Sequence, residues 1–566
     1  MTVNSILSNP SQFYINGQWT DGQGSETCNI TDPTSGQVVL TLKNGVTKDS
    51  NAAVEAAYNA FNTGPWYNEY TGVQRRDALL KIAQVIDDNK HQIAKIESLQ
   101  TGKPIGNSTF EAMHGAEVFR FFAGLADKQG GKHFSPNHDQ SVSAYTIVEA
   151  MGVIGLITAF NFPFILAIWK IAPALAAGNT VILKPSPQTP LSSLLLAQLI
   201  HDNQLLPPGV FNVIPGGIEA GAALVNHPHV DKISFTGSVG GGKAVYKASA
   251  ESANLKHICL ELGGKSPNVI MDDADVEKAA QHAAAAAFIN TGQTCCAGTK
   301  IHVHKKIYDQ FMSALIAITK DLTDRMTTDT STSSIGPLID QNQLNRVDGF
   351  VQRAIKNNEA EVLIGGERWG QQGYYYKPTV LKSSNLQAEV VCEEIFGPVV
   401  TVLPPFEDLD QVIEFESKSN FGLACGIYTN NAKAINTFVK KMRAGSVWVN
   451  CFNVLNPYMP FGGYKNSGIG RELGEEAIKE FLLTKSVSSV ITSAAAEIPF
   501  SPAKRTLLEY STVAKTEPSL NPQKFTEVAI IHLPNDSMPN ALKKASYGGS
   551  DKKSDAAGLS FLETSV

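Results

Sequence analysis

An acid and a thiol each sit beside small residues that let the backbone come close, in Glu261-Leu-Gly-Gly-Lys265 and in Phe288-Ile-Asn-Thr-Gly-Gln-Thr-Cys295-Cys296. These are the two groups needed to form and then hydrolyse a thioester. A thiolate supplies the nucleophile, and a carboxylate takes a proton from water, a task suited by partial burial that raises its pKa. Asn161, in Asn161-Phe-Pro-Phe164, carries an amide that could donate to an oxyanion alongside the Cys295 N–H. Such a contact is commonly worth about 3 kcal/mol of barrier. Each residue also has a structural alternative. Cys295 follows the Ala-rich stretch Ala283–Phe288 and would serve as an inert buried cysteine, Glu261 as a solvated acid at a strand end, and Asn161 as the cap of a helix over 164–177. The residues alone leave these alternatives open.

Groups of this kind need a rigid frame, and the sequence predicts one. From Gly152 to Leu260 short apolar runs alternate with helical stretches. Strands are expected at Gly152–Ala159, Thr180–Lys184, Phe211–Ile214, Lys232–Phe235 and His257–Glu261, with helices at Leu191–Ile200 and Glu219–Val225. This alternation predicts a parallel sheet in a doubly wound α/β domain. Ligands bind such sheets at the carboxyl ends of the strands, and Asn161, Lys184, Gly237 and Glu261 all fall at or just past strand ends. A second alternating block follows, with strands at Asn268–Met271, Lys300–His304, Val399–Leu403, Gly426–Tyr428 and Gly445–Asn450. It predicts a second α/β domain, which contributes the thiol. Ahead of both, Phe13–Trp19 reads as a hairpin turning at Asn16-Gly17. Ala52–Phe61 and Arg76–Ile86 repeat apolar residues at three- and four-residue spacing, the pattern of core-facing helices. Val142–Val148 and Ser486–Ile491 read as lone strands.

The chain has 566 residues, enough for two or three domains. With 43% hydrophobic, 18% charged and 8% aromatic residues it has the profile of a soluble globular enzyme. A net charge of −6 argues against nucleic acid or an anionic membrane as the main partner. No apolar run is long enough for a membrane span, and Met1–Leu7 lacks the features of a signal peptide. Seven scattered cysteines fit a reducing, cytoplasmic setting better than a disulfide framework. No Cys/His spacing suggests zinc, so no metal is expected. The segment 496–566 is rich in Ser, Pro, Lys and Asn and reads as a largely disordered tail. Within it, Phe525–Leu533 is apolar enough for a docking strand.

Together with Asn161-Phe-Pro-Phe164 and Phe235-Thr-Gly-Ser238, the acid and thiol motifs resemble those of the aldehyde dehydrogenase superfamily, in its order and spacing, from about Phe13 to Val490. The resemblance implies an aldehyde dehydrogenase-like α/β fold of two doubly wound domains. Residues 1–127 and 151–262 would form the dinucleotide-binding domain and 263–480 the catalytic thiol domain. Residues 128–150 and 481–495 would form a β-arm that joins subunits, into a homodimer or homotetramer. It further implies that Cys295 attacks an aldehyde to give a thiohemiacetal, from which hydride leaves for the nicotinamide of NAD or NADP. Glu261 then becomes the general base and Asn161 the oxyanion donor. Lys184 would reach ribose hydroxyls, although a plain surface lysine is the alternative. Gly237, Ser238 and Gly242 would border the pyrophosphate at a helix N-terminus. In Glu393-Glu-Ile-Phe-Gly-Pro398, Glu394 would hold the nicotinamide ribose and Phe396 would pack beside the nicotinamide. The substrate tunnel would draw on Phe162, Trp169, Thr294, Cys296, Phe452, Leu455 and Phe461, an aromatic and mostly uncharged set that suits an apolar aldehyde.

One position departs from the pattern. Members that prefer NAD often carry a glutamate three residues after the lysine, where this chain has Pro187. Without that carboxylate nothing repels a 2′-phosphate, so both cofactors are expected. The chain thus reads as a hydrolytic, NAD(P)-dependent aldehyde dehydrogenase. A CoA-acylating semialdehyde dehydrogenase would not need Glu261 as a water-activating base. A catalytically silent scaffold on the same fold would not need Cys295, Glu261 and Asn161 together.

Overall fold

In the computed structural model of the protein, residues 7–9, 12–135 and 142–490 are described. The expected tail 496–566 and its strand Phe525–Leu533 lie outside them. The chain divides into two units, Met1–Lys132 with Thr146–Ser486, and His133–Tyr145 with Val487–Val566.

In the first unit, Val153–Ile157 and Thr180–Lys184 are buried at every position. They therefore read as unbroken apolar runs, as strands covered on both faces must. They belong to a parallel core ordered His257–Glu261, Lys232–Thr236, Val153–Ile157, Thr180–Lys184, Phe211–Val213. Antiparallel strands flank it: the hairpin Phe13–Ile15/Gln18–Thr20 beyond Phe211–Val213, and Gly468–Ile469 beyond His257–Glu261. The hairpin turns where expected, with both Asn16 (φ 53°) and Gly17 (φ 72°) left-handed, as a two-residue turn of this kind requires.

The order of the strands places the site. The chain enters the sheet at Val153–Ile157, builds outward through Thr180–Lys184 and Phe211–Val213, then returns to add Lys232–Thr236 and His257–Glu261 on the other side. That reversal opens a crevice at the carboxyl ends of Val153–Ile157 and Lys232–Thr236. Register aligns those ends: Ile157 lies opposite Lys184 and Phe235, and Thr236 opposite Glu261. Helix Pro163–Ala176, buried along its whole length, follows directly from the crevice. Each aliphatic side chain it hides, such as Ile168 or Leu175, stabilises the fold by about 1.5–3 kcal/mol.

The helices expected at Ala52–Phe61 and Arg76–Ile86 extend over Thr47–Thr63 and Gly72–Asp88. A reciprocal cap between Thr71 and Gln74 opens the second. Two further helices, Lys90–Thr101 and Ile105–Ala126, were not anticipated, and the longer packs on Gly72–Asp88 and Pro163–Ala176. The second sheet is ordered Glu361–Ile364, Thr379–Lys382, Val399–Val402, Lys300–Val303, Pro267–Ile270, Ala424–Tyr428, Ser446–Val449. It is parallel except for Glu361–Ile364. Val142–Ala150 and Leu482–Val490 are both strands. In the first unit Lys485 Nζ pairs with the Glu149 carboxylate at 2.6 Å. In the second, His133–Phe134 runs antiparallel to Ala144–Tyr145. Among the described residues no helix is long and apolar enough to cross a membrane.

Candidate active site

Asn161 stands in the loop between Val153–Ile157 and Pro163–Ala176, and it does not cap that helix. Phe162 holds the N-cap position without a side-chain bond, and Pro163 takes the first helical position, where a missing N–H costs nothing. The Asn161 amide donates instead to the Gln293 carbonyl at 3.0 Å. The Asn161 backbone carbonyl accepts from Asn290 Nδ2 at 2.8 Å and Lys103 Nζ at 3.0 Å. The loop is thus clamped to the turn that delivers the thiol.

That turn is built from left-handed residues. Helix Val276–Phe288 ends at Ile289, and Asn290, Thr291 and Gly292 follow with φ of 50°, 58° and 67°. Only glycine fits the last position, since a Cβ there would lie 2.0 Å from the Gly397 carbonyl oxygen. Gln293 anchors the turn by accepting from the Ile339 N–H at 3.0 Å. Cys295 emerges into a cavity of about 560 Å³ whose wall also carries Asn161, Thr294 and Cys296. The adjoining Cys296 thiol, together with burial, holds the Cys295 pKa well above that of an ordinary thiol. Cys296 is itself buried, with Sγ 3.4 Å from Asn453 Oδ1.

Glu261 ends its strand and is 3% exposed, with neither carboxylate oxygen hydrogen-bonded. It does not line the cavity wall. Burial, reinforced by the Glu472 carboxylate, pushes its pKa well above the usual range, against the pull of Lys170 and Arg471. Glu472 is bonded to Lys170, whose Nζ also reaches Ser234 Oγ at 3.1 Å. The solvated-acid alternative does not hold, because this carboxyl is buried. The glycines after it serve neighbouring motifs: a Cβ at Gly263 would lie 2.3 Å from Glu394 Oε2, and one at Gly264 2.5 Å from the Cys295 carbonyl oxygen.

The residues expected at a dinucleotide fall into two groups. Gly237, Ser238, Glu394 and Phe396 line the same cavity as Cys295. Ser238 caps helix Val239–Glu251 by accepting from Gly241 N at 3.1 Å, and the first N–H groups of that helix have no acceptor within it. A Cβ on Gly240 would meet nothing within 4 Å, and Thr236 Oγ1, on the cavity wall, is buried without a partner. This open, donor-rich cradle fits a pyrophosphate. Glu394 accepts from Gly264 N at 3.0 Å, and burial pushes its carboxyl up to about 7. Phe396 holds a left-handed φ of 61° and meets Phe160 edge-on at 5.8 Å.

The other three lie away from the cavity wall. Gly242 is buried where a Cβ would strike Leu262 at 2.5 Å, so helix packing accounts for that glycine. Lys184 is buried, which lowers its pKa to about 8, and is no plain surface lysine. Its ammonium donates to the carbonyls of Pro185 and Gly216 at 2.9 and 2.8 Å, leaving one of three donors uncommitted. Pro187 is half-buried, and its carbonyl receives Cys28 Sγ at 3.4 Å.

Of the expected tunnel residues, Phe162, Trp169, Thr294, Cys296, Leu455 and Phe461 line the cavity. Phe452 does not. Its ring packs on Trp448 at 4.7 Å and fills the space over Gly426, where a Cβ would lie 2.6 Å away. The wall also includes residues that the sequence reading missed: Phe110, Glu111 and His114 from helix Ile105–Ala126, and Gln343 and Arg346 from helix Gln341–Lys356. The spacing Phe110, His114, Val118, Phe122 was the available signal for the first group.

The chain has counterparts among known proteins. The model of the aldehyde dehydrogenase family matches residues 19–487. A mitochondrial benzaldehyde dehydrogenase of Antirrhinum majus is 40% identical over 491 residues, 86% of this chain and 90% of that protein. Human retinal dehydrogenase 2 is 38% identical over 480 residues, 84% of this chain and 91% of that protein. The structure of an NAD+ complex of an aldehyde dehydrogenase from Bacillus cereus superposes with a TM-score of 0.82 at 38% identity, covering 87% of this chain and 98% of the other. With the family model matching residues 19–487 and relatives of 38–40% identity covering 84–86% of it, the chain belongs to the aldehyde dehydrogenase family.

Proposed function

We propose that this protein oxidises aldehydes to carboxylic acids with NAD or NADP as hydride acceptor, through a thioester on Cys295 that water hydrolyses. The observation that carries the reading is the meeting, at one cavity, of a thiol on a strained left-handed turn with an amide clamped to that same turn, with the buried Glu261 carboxyl close enough to raise that thiol's pKa.

The Cys295 thiol gives up its proton to solvent, and the thiolate sulfur forms the bond to the carbonyl carbon as the carbonyl π pair moves to oxygen. The developing oxyanion is taken by the Cys295 N–H and by the Asn161 amide, which has a second N–H beyond the one given to Gln293. Loss of hydride from the adduct leaves the thioester, and the nicotinamide, when bound, would supply the acceptor for it. Glu261 then removes a proton from water, the hydroxide adds to the acyl carbon, and collapse expels the Cys295 thiolate with the acid product. A carboxyl whose pKa is raised is a stronger base when ionised, and burial beside Glu472 supplies that rise.

Thr236, Gly237 and Ser238 with the first turn of Val239–Glu251 would hold the pyrophosphate, Glu394 a ribose, and Phe396 one face of the nicotinamide. Lys184 would give its remaining N–H to the other ribose. Residues 1–127 with 151–262 serve as the dinucleotide-binding domain and 263–480 as the thiol domain. The segments 128–150 and 481–495 join subunits of a homodimer or homotetramer. A reducing, cytoplasmic setting is supported by seven free cysteines. The test is NAD(P)H formation from an aldehyde panel with and without CoA. Turnover independent of CoA supports the reading, and turnover that requires CoA overturns hydrolysis.

A further inference from the structure

Helix Ile105–Ala126 brings two polar side chains into the cavity wall that no step above uses. Glu111 and His114 lie one turn apart on it. They are 4% and 9% exposed, yet Glu111 Oε2 and His114 Nε2 have no hydrogen-bond partner. Buried polar atoms without partners are costly and rare. Two of them on one cavity wall mark a place where a ligand atom completes the bonding.

The chemistry of that atom follows from the surroundings. Glu111 is held by its other oxygen, which accepts from Lys103 Nζ at 2.7 Å, so the carboxyl is fixed. Burial pushes the carboxyl up to about 7, and burial keeps the His114 imidazole neutral by lowering its pKa. The Lys103 ammonium is shared with the buried Glu97 carboxylate at 4.0 Å, which also favours the protonated form of Glu111. The pair therefore presents little net charge, which favours a neutral hydrogen-bonding group over a cation. The frame around it is aromatic. His114 stacks on Phe110 at 6.2 Å and meets Trp169 edge-on at 6.3 Å, and Trp169 in turn meets Phe461 at 5.4 Å. The cavity wall is thus less uniformly apolar than the sequence implied.

We propose that Glu111 and His114 form a hydrogen-bonding subsite that selects aldehydes whose aromatic body carries a free hydroxyl. This rests on the aldehyde dehydrogenase reading and adds a substrate class to it. A methoxy group keeps the electronic effect of the hydroxyl but cannot donate, so matched substrates isolate the contact.

The test is kcat/KM of the full-length enzyme for benzaldehyde, 3-hydroxybenzaldehyde and 3-methoxybenzaldehyde. The wild type is expected to favour the hydroxy over the methoxy compound by about tenfold, the worth of one ordinary hydrogen bond. His114→Phe, which keeps the stacking on Phe110, should shrink that ratio to within about twofold, and Glu111→Met should do likewise. A merely structural role would lower both rates and leave the ratio alone. Should Glu111→Met fail to fold because Lys103 loses its partner, the wild-type ratio and His114→Phe still decide. Turnover of benzaldehyde with a hydroxy-to-methoxy ratio near one, or a ratio unmoved in His114→Phe, overturns the subsite and leaves the dehydrogenase standing. No NAD(P)H from any aldehyde overturns the reading beneath it.

Discussion

Gly263 and Glu394 are fitted to one another: the carboxylate occupies the space a Gly263 side chain would need, 2.3 Å from its Cβ position, and the next N–H, of Gly264, donates to Oε1 at 3.0 Å. Gly264 in turn makes room for the Cys295 carbonyl, and Gly292 for that of Gly397. The acid motif, the thiol turn and the Glu393–Pro398 loop are therefore one interlocked assembly.

Gly263→Ala tests that fit. The displaced atoms are the far end of a flexible side chain, so the fold should survive with a loss of about 1–2 kcal/mol at most. Glu394, however, must leave its place. The KM for the dinucleotide should rise about tenfold or more while Tm moves by a few degrees at most. An unchanged KM would show that Glu394 does not hold the cofactor.

The buried acid makes a prediction about stability. Between the pKa of Glu261 in the unfolded chain, about 4.3, and its raised value in the fold, the native state keeps a proton that the unfolded state has lost. Stability contributed by this group falls as pH rises through that window. Glu261→Gln removes the effect, so its Tm advantage over the wild type should widen from about pH 5 to about pH 8. A difference that stays flat across that range contradicts a raised pKa.

The paired thiols separate by position. Cys295→Ala should abolish turnover, whereas Cys296→Ala should keep a substantial fraction, because Cys296 faces Asn453. Cys296 also raises the Cys295 pKa. Its removal should therefore shift the pH profile of Cys295 alkylation to lower pH. Comparable loss in both variants would mean that the nucleophile is misassigned.

Pro187 predicts cofactor tolerance. With no carboxylate to meet a 2′-phosphate, kcat/KM for NAD and NADP should agree within about tenfold, or roughly 1.4 kcal/mol. Pro187→Glu should push preference towards NAD. A wild type that rejects NADP by about a thousandfold would place the discrimination elsewhere.

Much of this was legible in the sequence for definite reasons. The parallel strands announced themselves because burial on both faces demands unbroken apolar runs, as in Thr180–Lys184. Asn161, Glu261 and Gly237 could be set at one edge because register follows from strand ends. Glu361–Ile364 escaped notice because it is short and only half-buried. Glu111 and His114 escaped because a polar residue inside a helix gives no sign of facing a cavity until Lys103 and Asn161 are brought to it through the fold. The glycines of Glu261-Leu-Gly-Gly were noticed, but their reasons, Glu394 and the Cys295 carbonyl, are more than a hundred residues away in one case and lie across two motifs in the other.

The central claim is that Glu261 releases an acyl group held on Cys295. The most direct measurement is mass spectrometry of the Cys295 peptide, with NAD(P)H quantified, after Glu261→Gln is mixed with benzaldehyde and cofactor. The account predicts a burst of about one NAD(P)H per active site followed by a stall, with a benzoyl adduct on Cys295. A variant that turns over at the wild-type rate, or one that gives neither burst nor adduct, would contradict it.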